Sequence, residues 1–205
     1  MKTDVGAHLV AIAVAAGLAA CAHRQPATDT ALATRVAALG GKLETDPSVV
    51  EGKIVRVDLH GSAVTDDDLA LLAGAHDLRH LDLRLTGIGD QGVRHLGELT
   101  ELRFLNLFRT RVGDRGVAEL QSLRNLDTLL LGGTQITDAG LVNLKRFPNL
   151  RKLSIFDTRI TDAAIPTLAG LQSLEVLLVG RTKISEAGLQ QLQKALPKVR
   201  FSEPT

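Results

Sequence analysis

The chain has 205 residues, of which 44% are hydrophobic and only 2% aromatic, with neither Trp nor Tyr. Its formal net charge of +1 gives no indication of a nucleic-acid-binding surface or of a strongly basic membrane-binding surface. The single cysteine excludes an intramolecular disulfide and a zinc site made of cysteines. A core of Leu, Val, Ile and Ala with so few rings is typical of many small, similar layers.

The first residues carry the pattern of a secretion signal. An apolar run extends from Val5 to Ala20, interrupted by His8, and its 16 positions are fewer than the roughly 20 that a membrane-spanning helix needs. The run ends in LAAC, from Leu18 to Cys21, which resembles a bacterial lipobox. That resemblance implies that residues 1–20 are a lipoprotein signal peptide and that Cys21 becomes the lipidated first residue. An uncleaved anchor, or an ordinary signal with a chance cysteine, is the alternative.

The next segment is expected to join the lipid to the folded part. Residues 21–29 form a short polar linker, and at about 3.3 Å per residue they would hold the fold near the membrane. Ala22 lacks the aspartate that resembles an inner-membrane retention signal, which favours the outer membrane. We therefore expect a lipid-anchored protein of the bacterial cell envelope, facing the periplasm or the cell surface. Residues 30–53 are predicted to form an N-terminal cap, with a helix ended by Gly40 and Gly41 and then a short strand.

Six units of 24 residues follow without an insertion, from residue 54 to residue 197. Position 1 of the six units is Ile54, Leu78, Leu102, Leu126, Leu150 and Leu174. Apolar residues recur at positions 1, 4 and 6, and the alternation of positions 4 and 6 predicts a strand with one buried face. Position 9 carries a hydroxyl and position 13 an acidic residue in every unit. Residues 198–205 are predicted to be a C-terminal cap, with Phe201 at position 4 of an unfinished seventh strand.

Positions 12 and 13 predict where a short helix begins in each unit. Thr137, Thr161 and Ser185 stand at position 12, where a hydroxyl accepts an unpaired N–H of the first helical turn. The acidic residue at position 13 is expected to face the positive end of its own helix. Where position 12 is Gly113, Asp114 is expected to cap instead. Glycine at position 15 of most units is predicted to let the helix approach its neighbour closely.

These units resemble the leucine-rich repeat family, in the subclass L-x-x-L-x-L-x-x-T-x-I-T-D-x-G-L-x-x-L that is related to the cysteine-containing repeats. The resemblance covers residues 54–197, although no unit carries a cysteine and no F-box-like segment is present, so an adaptor role in a ubiquitin ligase is not expected. It implies an α/β leucine-rich repeat solenoid, with a parallel sheet on the concave side and short helices on the convex side. It also implies a non-enzymatic interaction module that needs no cofactor.

Members of this family usually bind through positions 3, 5 and 7 of the concave face. Three of the five phenylalanines fall there, and Gly132 separates Phe108 from Phe156, which predicts a cleft between two rings roughly 10 Å apart. Leu130 is the expected floor of that cleft, and arginines form its rim. The predicted binding residues are Phe104, Phe108, Phe156, Leu130, Gly132, Arg84, Arg109, Arg181, His60, His80, Asp58 and Asp82. Lateral packing of the rings on the sheet is the alternative interpretation.

The expected partner is a protein or a surface glycan, bound by a monomer, with no nucleic acid and no metal. A second hypothesis is an envelope glycan-acting enzyme that uses Asp58 and Asp82, which should lie side by side on adjacent strands. A solvated network with the neighbouring cations is the simpler interpretation of that pair. A third hypothesis is a purely structural spacer at the membrane. The acidic column at position 13 suggests calcium in principle, but helix starts already account for it.

Overall fold

The structure is a computed structural model that describes residues 26–48 and 53–201, with side chains from residue 30 onward. The predicted signal peptide, the lipidation site at Cys21 and residues 202–205 lie outside the described residues. Within this part, short strands alternate with short helices, and the strands form a single eight-stranded sheet in sequence order. The strands are β1 (Lys42–Thr45), β2 (Ile54–Asp58), β3 (His80–Asp82), β4 (Phe104–Asn106), β5 (Thr128–Leu130), β6 (Lys152–Ser154), β7 (Val176–Leu178) and β8 (Arg200–Phe201).

The 24-residue repeat of the sequence sets the pairing register of the sheet. Strands β2 to β8 are parallel, and each residue pairs with the equivalent residue of the next unit, as Leu81 does with Leu105 and Leu105 with Leu129. Strand β1 is antiparallel to β2 and closes the first edge. At the other edge, Phe201 of β8 pairs with Leu177, at position 4 of the expected seventh strand. A stack of identical layers follows directly from this one-to-one pairing.

The return segments on the other side of the sheet are one to three turns long. The α-helices are α1 (Pro26–Ala38), α2 (Asp90–Val93), α3 (Asp114–Glu119), α4 (Asp138–Leu141), α5 (Ile165–Ala169) and α6 (Glu186–Ala195). Four segments are 3₁₀-helical, namely Asp67–Gly74, Arg94–Leu96, Val142–Arg146 and Asp162–Ala164. The predicted hydroxyl caps are confirmed: Thr137 accepts the Ala139 N–H at 3.3 Å and Thr161 accepts the Ala163 N–H at 3.2 Å. Ser185 caps α6 in the same way.

The core is a continuous aliphatic layer between the sheet and the helices. Positions 1, 4 and 6 are buried in all six repeats, and Leu126, Leu129 and Leu131 of the fourth repeat are fully buried. Burying one such side chain contributes about 1.5–3 kcal/mol, but only when the neighbouring repeats cover it. The stack therefore stabilises each repeat through its neighbours.

The aspartates at position 13 lie at the starts of their own helices, as expected, but their hydrogen bonds join successive repeats, and the expected capping of its own helix by Asp114 is wrong. Asp114 accepts the backbone N–H of Thr137 at 2.7 Å and the hydroxyl of Thr137 at 2.6 Å. The N–H of Gly113 is likewise satisfied by Asp90 of the preceding repeat, at 2.7 Å, and not by Asp114. The same bond is made by the pairs Asp66–Gly89, Asp138–Thr161 and Asp162–Ser185. A side chain at the first helical position lies beside the next layer, so its carboxylate reaches that layer.

Glycine at position 15 makes room for this aspartate. A Cβ at Gly116 would lie 2.6 Å from Oδ1 of Asp90, and one at Gly92 would lie 2.5 Å from Oδ1 of Asp66. The close approach predicted for this position is therefore to a carboxylate of the preceding repeat.

The N-terminal helix covers the first repeat. Leu32 and Val36 of α1 are buried in the core. On the surface, the guanidinium Nε of Arg35 donates to Oδ1 of Asp68 at 2.7 Å, which ties α1 to the first 3₁₀ segment. None of the helices in the described part combines the length and the apolar composition needed to cross a bilayer.

Candidate binding site on the open face of the sheet

The sheet has one face against the helices and one face free of them, which we call the open face. Positions 4 and 6 point inward, while positions 3, 5 and 7 belong to the open face because side chains alternate along a strand. In the fourth repeat, Thr128 and Leu130 are half-buried on the open face, whereas Leu129 is fully buried beneath it.

A pocket of about 210 Å³ lies on the open face over β4, β5 and β6. We call it the aromatic pocket, and its lining residues are Arg84, Asn106, Phe108, Leu130, Lys152, Ser154, Phe156 and Leu178. Two half-buried rings and two leucines provide its apolar surface. Four of the residues predicted for binding line it, namely Phe108, Phe156, Leu130 and Arg84.

Gly132 acts differently from the expected gap between two rings. A Cβ at Gly132 would lie 2.9 Å from Cδ2 of Phe108 and 3.1 Å from the carbonyl oxygen of Phe156. The Phe108 ring therefore lies over the Gly132 backbone and fills the space that the glycine leaves. The open space of the pocket therefore borders Leu130, at position 5 of the same repeat, and not Gly132 at position 7.

Two arginines cover the outer sides of the pocket rings. The Arg109 guanidinium carbon lies 5.2 Å from the centre of the Phe108 ring, and that of Arg181 lies 5.8 Å from the centre of the Phe156 ring. Both distances suit cation–π contacts. Arg181 also lies 3.4 Å from Asp157 in an ion pair. These arginines were predicted as rim residues, and they hold the rings in place without lining the pocket themselves.

Position 8, which carries these arginines, has a left-handed backbone in all six repeats. The positive φ angles are those of Gly61, Leu85, Arg109, Gly133, Asp157 and Arg181. Side chains such as Leu and Arg rarely adopt this region. Here the conformation turns the chain out of the strand while the position 8 N–H still bonds to the next repeat, as Arg109 does to the Gly132 carbonyl at 2.8 Å. Hydrogen bonding along the stack offsets the local strain.

Phe104 lies outside the aromatic pocket and pairs with a histidine. Its ring stacks on the His80 imidazole, with centres 3.9 Å apart and planes 2° from parallel. Burial lowers the pKa of His80, and the charge of Arg56 lowers it further, against the opposing effect of the nearby carboxylates. A neutral imidazole packed on a phenyl ring stabilises the sheet laterally, as the alternative interpretation of the aromatic residues expected.

Asp58 and Asp82 are adjacent across β2 and β3, as the spacing predicted. Oδ1 of Asp58 accepts the backbone N–H of His60 at 3.0 Å and lies 2.8 Å from its Nδ1. Burial alone would raise the pKa of Asp58, but the hydrogen bonds from His60 and the charge of Arg84 hold it below its ordinary value. Asp82 accepts the Arg84 N–H at 3.0 Å and the Asn106 amide at 3.3 Å. These bonds engage both carboxylates in the structure, and the lowered pKa of Asp58 favours its ionised form over the protonated form that a general acid needs.

Four lining residues were missed by the sequence reasoning: Asn106, Lys152, Ser154 and Leu178. All four belong to positions 3 and 5 of the open face, so the repeat numbering already contained the signal. Ser154 is 6% exposed, and its hydroxyl has no hydrogen-bond partner among residues 30–48 and 53–201. Lys152 is exposed and forms no ion pair within the same ranges. An unpaired cation thus stands beside an unpaired hydroxyl in the pocket wall.

In the described part of the chain, no group of three or more His, Cys, Asp or Glu side chains is arranged to hold a metal ion. The carboxylates of the position 13 column are instead engaged between repeats, as Asp114 is with Thr137.

Comparison with known proteins agrees with the architecture. A family model described as Leucine Rich repeat matches residues 74–97. Internalin C2 from Listeria monocytogenes is 29% identical, over 65% of this chain and 55% of that chain, with a TM-score of 0.51. Another internalin from that organism is 18% identical over 83% of this chain and 54% of that chain, with a TM-score of 0.55. No curated protein matches the sequence.

A leucine-rich repeat protein from Leptospira interrogans is 18% identical over 72% of this chain, with a TM-score of 0.57. The likenesses at 18% identity carry the fold alone, and they confirm the solenoid of parallel strands and short helices expected from the repeats. This chain spans 55%, 54% and 36% of the three proteins, so it corresponds to a part of each.

Proposed function

We propose that the chain, a leucine-rich repeat protein that resembles bacterial leucine-rich repeat proteins, binds a partner protein through the aromatic pocket. Repeats of this fold typically serve as protein-interaction modules and are usually not catalytic. We further propose that the contact lies on the open face, that the partner is a protein, and that a lipid anchors the chain in the bacterial envelope.

The aromatic pocket is the observation that carries the proposal. Its two half-buried rings and its leucines leave apolar surface accessible on the open face, which is otherwise largely polar in the first repeats. Accessible apolar surface with a polar rim is typical of partner-binding sites. The volume of about 210 Å³ is smaller than the roughly 300–1,000 Å³ of a small-molecule site, and it suits one anchoring side chain.

A photo-crosslinking residue at Thr128, on β5 beside the pocket, tests this proposal in cells. The expected product is an adduct with one or a few specific envelope proteins. Leu130→Asn should abolish it, because an amide in the pocket floor removes the apolar contact. The fold tolerates an amide at this position, since Asn106 holds position 5 of the preceding repeat. The matched control is Val142→Asn on the helical side, where Val142 is 54% exposed.

The outcomes of that experiment separate the hypotheses. Retention of the adduct in Leu130→Asn would place the contact elsewhere on the molecule. A carbohydrate adduct would indicate that the pocket binds a surface glycan in place of a protein. A uniform absence of adducts would favour the structural spacer.

We extend the proposal to location: Cys21 carries a lipid that holds the protein in the bacterial envelope, with the outer membrane favoured. The LAAC sequence at residues 18–21 supports this, since a diacylglyceryl group and an N-acyl chain together give stable anchoring. Metabolic labelling with a tagged fatty acid should mark the wild-type protein and leave Cys21→Ser unmarked. Equal labelling of the two proteins would disprove the anchor and leave the pocket proposal intact.

A further inference from the structure

We infer, on the premise of the proposed function, that the aromatic pocket binds the C-terminal residue of a partner polypeptide. The apolar side chain of that residue lies over Leu130, against the Phe108 and Phe156 rings. Its free carboxylate contacts the Lys152 ammonium and the Ser154 hydroxyl.

The Ser154 hydroxyl belongs to the wall of the aromatic pocket. The Ser154 residue is only 6% exposed, but no fully buried side-chain N or O atom of the described residues lacks a partner, so its hydroxyl reaches the surface of the pocket. Asn106, the other polar residue of the pocket floor, is engaged within the protein, since it donates to Asp82 and accepts the Phe108 N–H. Ser154 makes no such bond within the described residues, and it lines the pocket. The hydroxyl is therefore available to a bound group.

The position of Lys152 determines which charge is expected for a ligand group that contacts Ser154. Lys152 and Ser154 occupy positions 3 and 5 of β6, so both belong to the open face and lie about 6.6 Å apart along the strand. A carboxylate between them accepts from the ammonium and from the hydroxyl at once. None of the described lining residues is acidic, and Asp82 next to the pocket already contacts Arg84 at 3.5 Å. Charge complementarity thus selects an anion.

The small volume of the aromatic pocket determines which class of anion it can hold. The apolar walls and the Lys152–Ser154 pair share one pocket of about 210 Å³, so the apolar group and the carboxylate belong to a single residue of the ligand. Within a polypeptide, an apolar side chain and a carboxylate occur on one residue only at the C-terminus. An internal acidic residue brings the carboxylate without the apolar side chain. The geometry therefore favours a C-terminal Leu, Ile, Met or Phe.

Fluorescence anisotropy with defined peptides tests this inference on the purified chain. The probes are fluorescein-labelled Gly-Ser-Gly-Ser peptides that end in Leu, Phe or Asp, each made as the free acid and as the C-terminal amide. We expect the Leu and Phe free acids to bind about tenfold or more tightly than their amides, because a hydrogen-bonded charge is lost in the amide. The Asp peptides should bind weakly in both forms.

Two variants connect the binding to the proposed groups. Lys152→Thr copies Thr128, which holds position 3 of the preceding repeat, and should weaken the free acids about tenfold while leaving the amides unchanged. Ser154→Ala should weaken the free acids by a smaller factor. The matched control is Lys145→Thr, a second exposed lysine without an ion pair in the described part, located on the helical side. Urea unfolding of each variant checks that the fold is retained.

Several results would overturn the inference. Equal binding of acids and amides, absence of any peptide binding, or unchanged binding in folded Lys152→Thr would each do so. Binding of decanoate in place of the peptides would assign the pocket to a fatty acyl carboxylate. If crosslinking at Thr128 still recovers a Leu130-dependent protein while the peptides fail, the proposed function stands and this inference alone is wrong.

Discussion

Asp114 illustrates how one residue of a repeat acts on its neighbour. Its carboxylate accepts two hydrogen bonds from Thr137, of 2.7 and 2.6 Å, and so satisfies the backbone at the start of the next helix. The spacing between an acid and a helix start was evident in the sequence, but the identity of the helix served was not. From the second repeat to the sixth, two acidic residues are close to each helix start, one from its own repeat and one from the preceding repeat, and only their directions distinguish them.

Replacing Asp114 with Ala should destabilise the fold by about 1–3 kcal/mol, because it leaves the half-buried N–H of Thr137 without its acceptor. Urea unfolding followed by circular dichroism measures the change. The matched control is Glu119→Ala, at the exposed end of the same helix α3, which should stay within about 0.5 kcal/mol of the wild type. Similar values for the two variants would mean that the contact between repeats contributes little.

Among the elements, α1 differs from the others because it covers the end of the stack and has no equivalent in the repeats. Its buried side chains Leu32 and Val36 close the core, and the Arg35–Asp68 ion pair at 2.7 Å fixes it to the first repeat. The hydrogen bond from Arg35, together with bonds from Thr65, holds the pKa of Asp68 at about 2 against the opposing effect of burial. The attachment of this element should therefore depend on pH.

The direction of that dependence follows from the lowered pKa. The stabilisation by Asp68 is fully present above its unfolded pKa of about 3.9 and is lost as the pH falls toward about 2. Wild type should unfold at a higher temperature than Asp68→Asn at pH 6, and the difference should shrink between pH 4 and pH 2. Thermal unfolding across this range measures it. Asp67→Asn, an exposed neighbour in the same segment, serves as the control and should show a small difference at all pH values. A pH-independent gap for Asp68→Asn would contradict the assignment.

At the scale of the whole molecule, stability is a sum of repeats and of the contacts between them. Each strand pairs with the equivalent residues of the next unit, so one complete unit is removable without a change of register. The same operation removes two of the eight residues that line the aromatic pocket when the unit is the third, which carries Phe108 and Asn106.

Deleting residues 102–125 should give a shorter solenoid that still unfolds cooperatively, at a lower urea concentration than the wild type, because one layer of buried side chains is lost. Deleting residues 102–123 removes almost as much chain but leaves Arg124 and Asn125 as a two-residue insertion between two otherwise intact repeats. That insertion interrupts the regular spacing at one junction, so this protein should unfold at a lower urea concentration than the 24-residue deletion. Comparable stability of the two deletions would contradict the dependence on register. Peptide binding should be absent from both.

Most of this architecture could be predicted from the local periodicity of the sequence. The alternation at positions 4 and 6 placed the strands, the hydroxyl at position 12 placed the helix starts, and the 24-residue spacing predicted which residues pair across the sheet. These features depend on residues close together in one repeat, or on a regular spacing, so they are visible in the sequence alone. The positions of the open face followed from the same alternation, which is why Phe108, Phe156, Leu130 and Arg84 were found.

The contents of the pocket were decided by the tertiary structure, because they depend on how side chains of different repeats share space. Phe108 was expected beside an open strand and instead lies over Gly132, because the absence of a Cβ at Gly132 leaves space for the ring. Phe104 was expected in the same site and instead stacks on His80. Ser154 became notable only when its place in the pocket wall and its lack of a hydrogen-bond partner in the described part were known. Periodicity determines which face a residue occupies, whereas lateral packing between layers determines what that residue contacts.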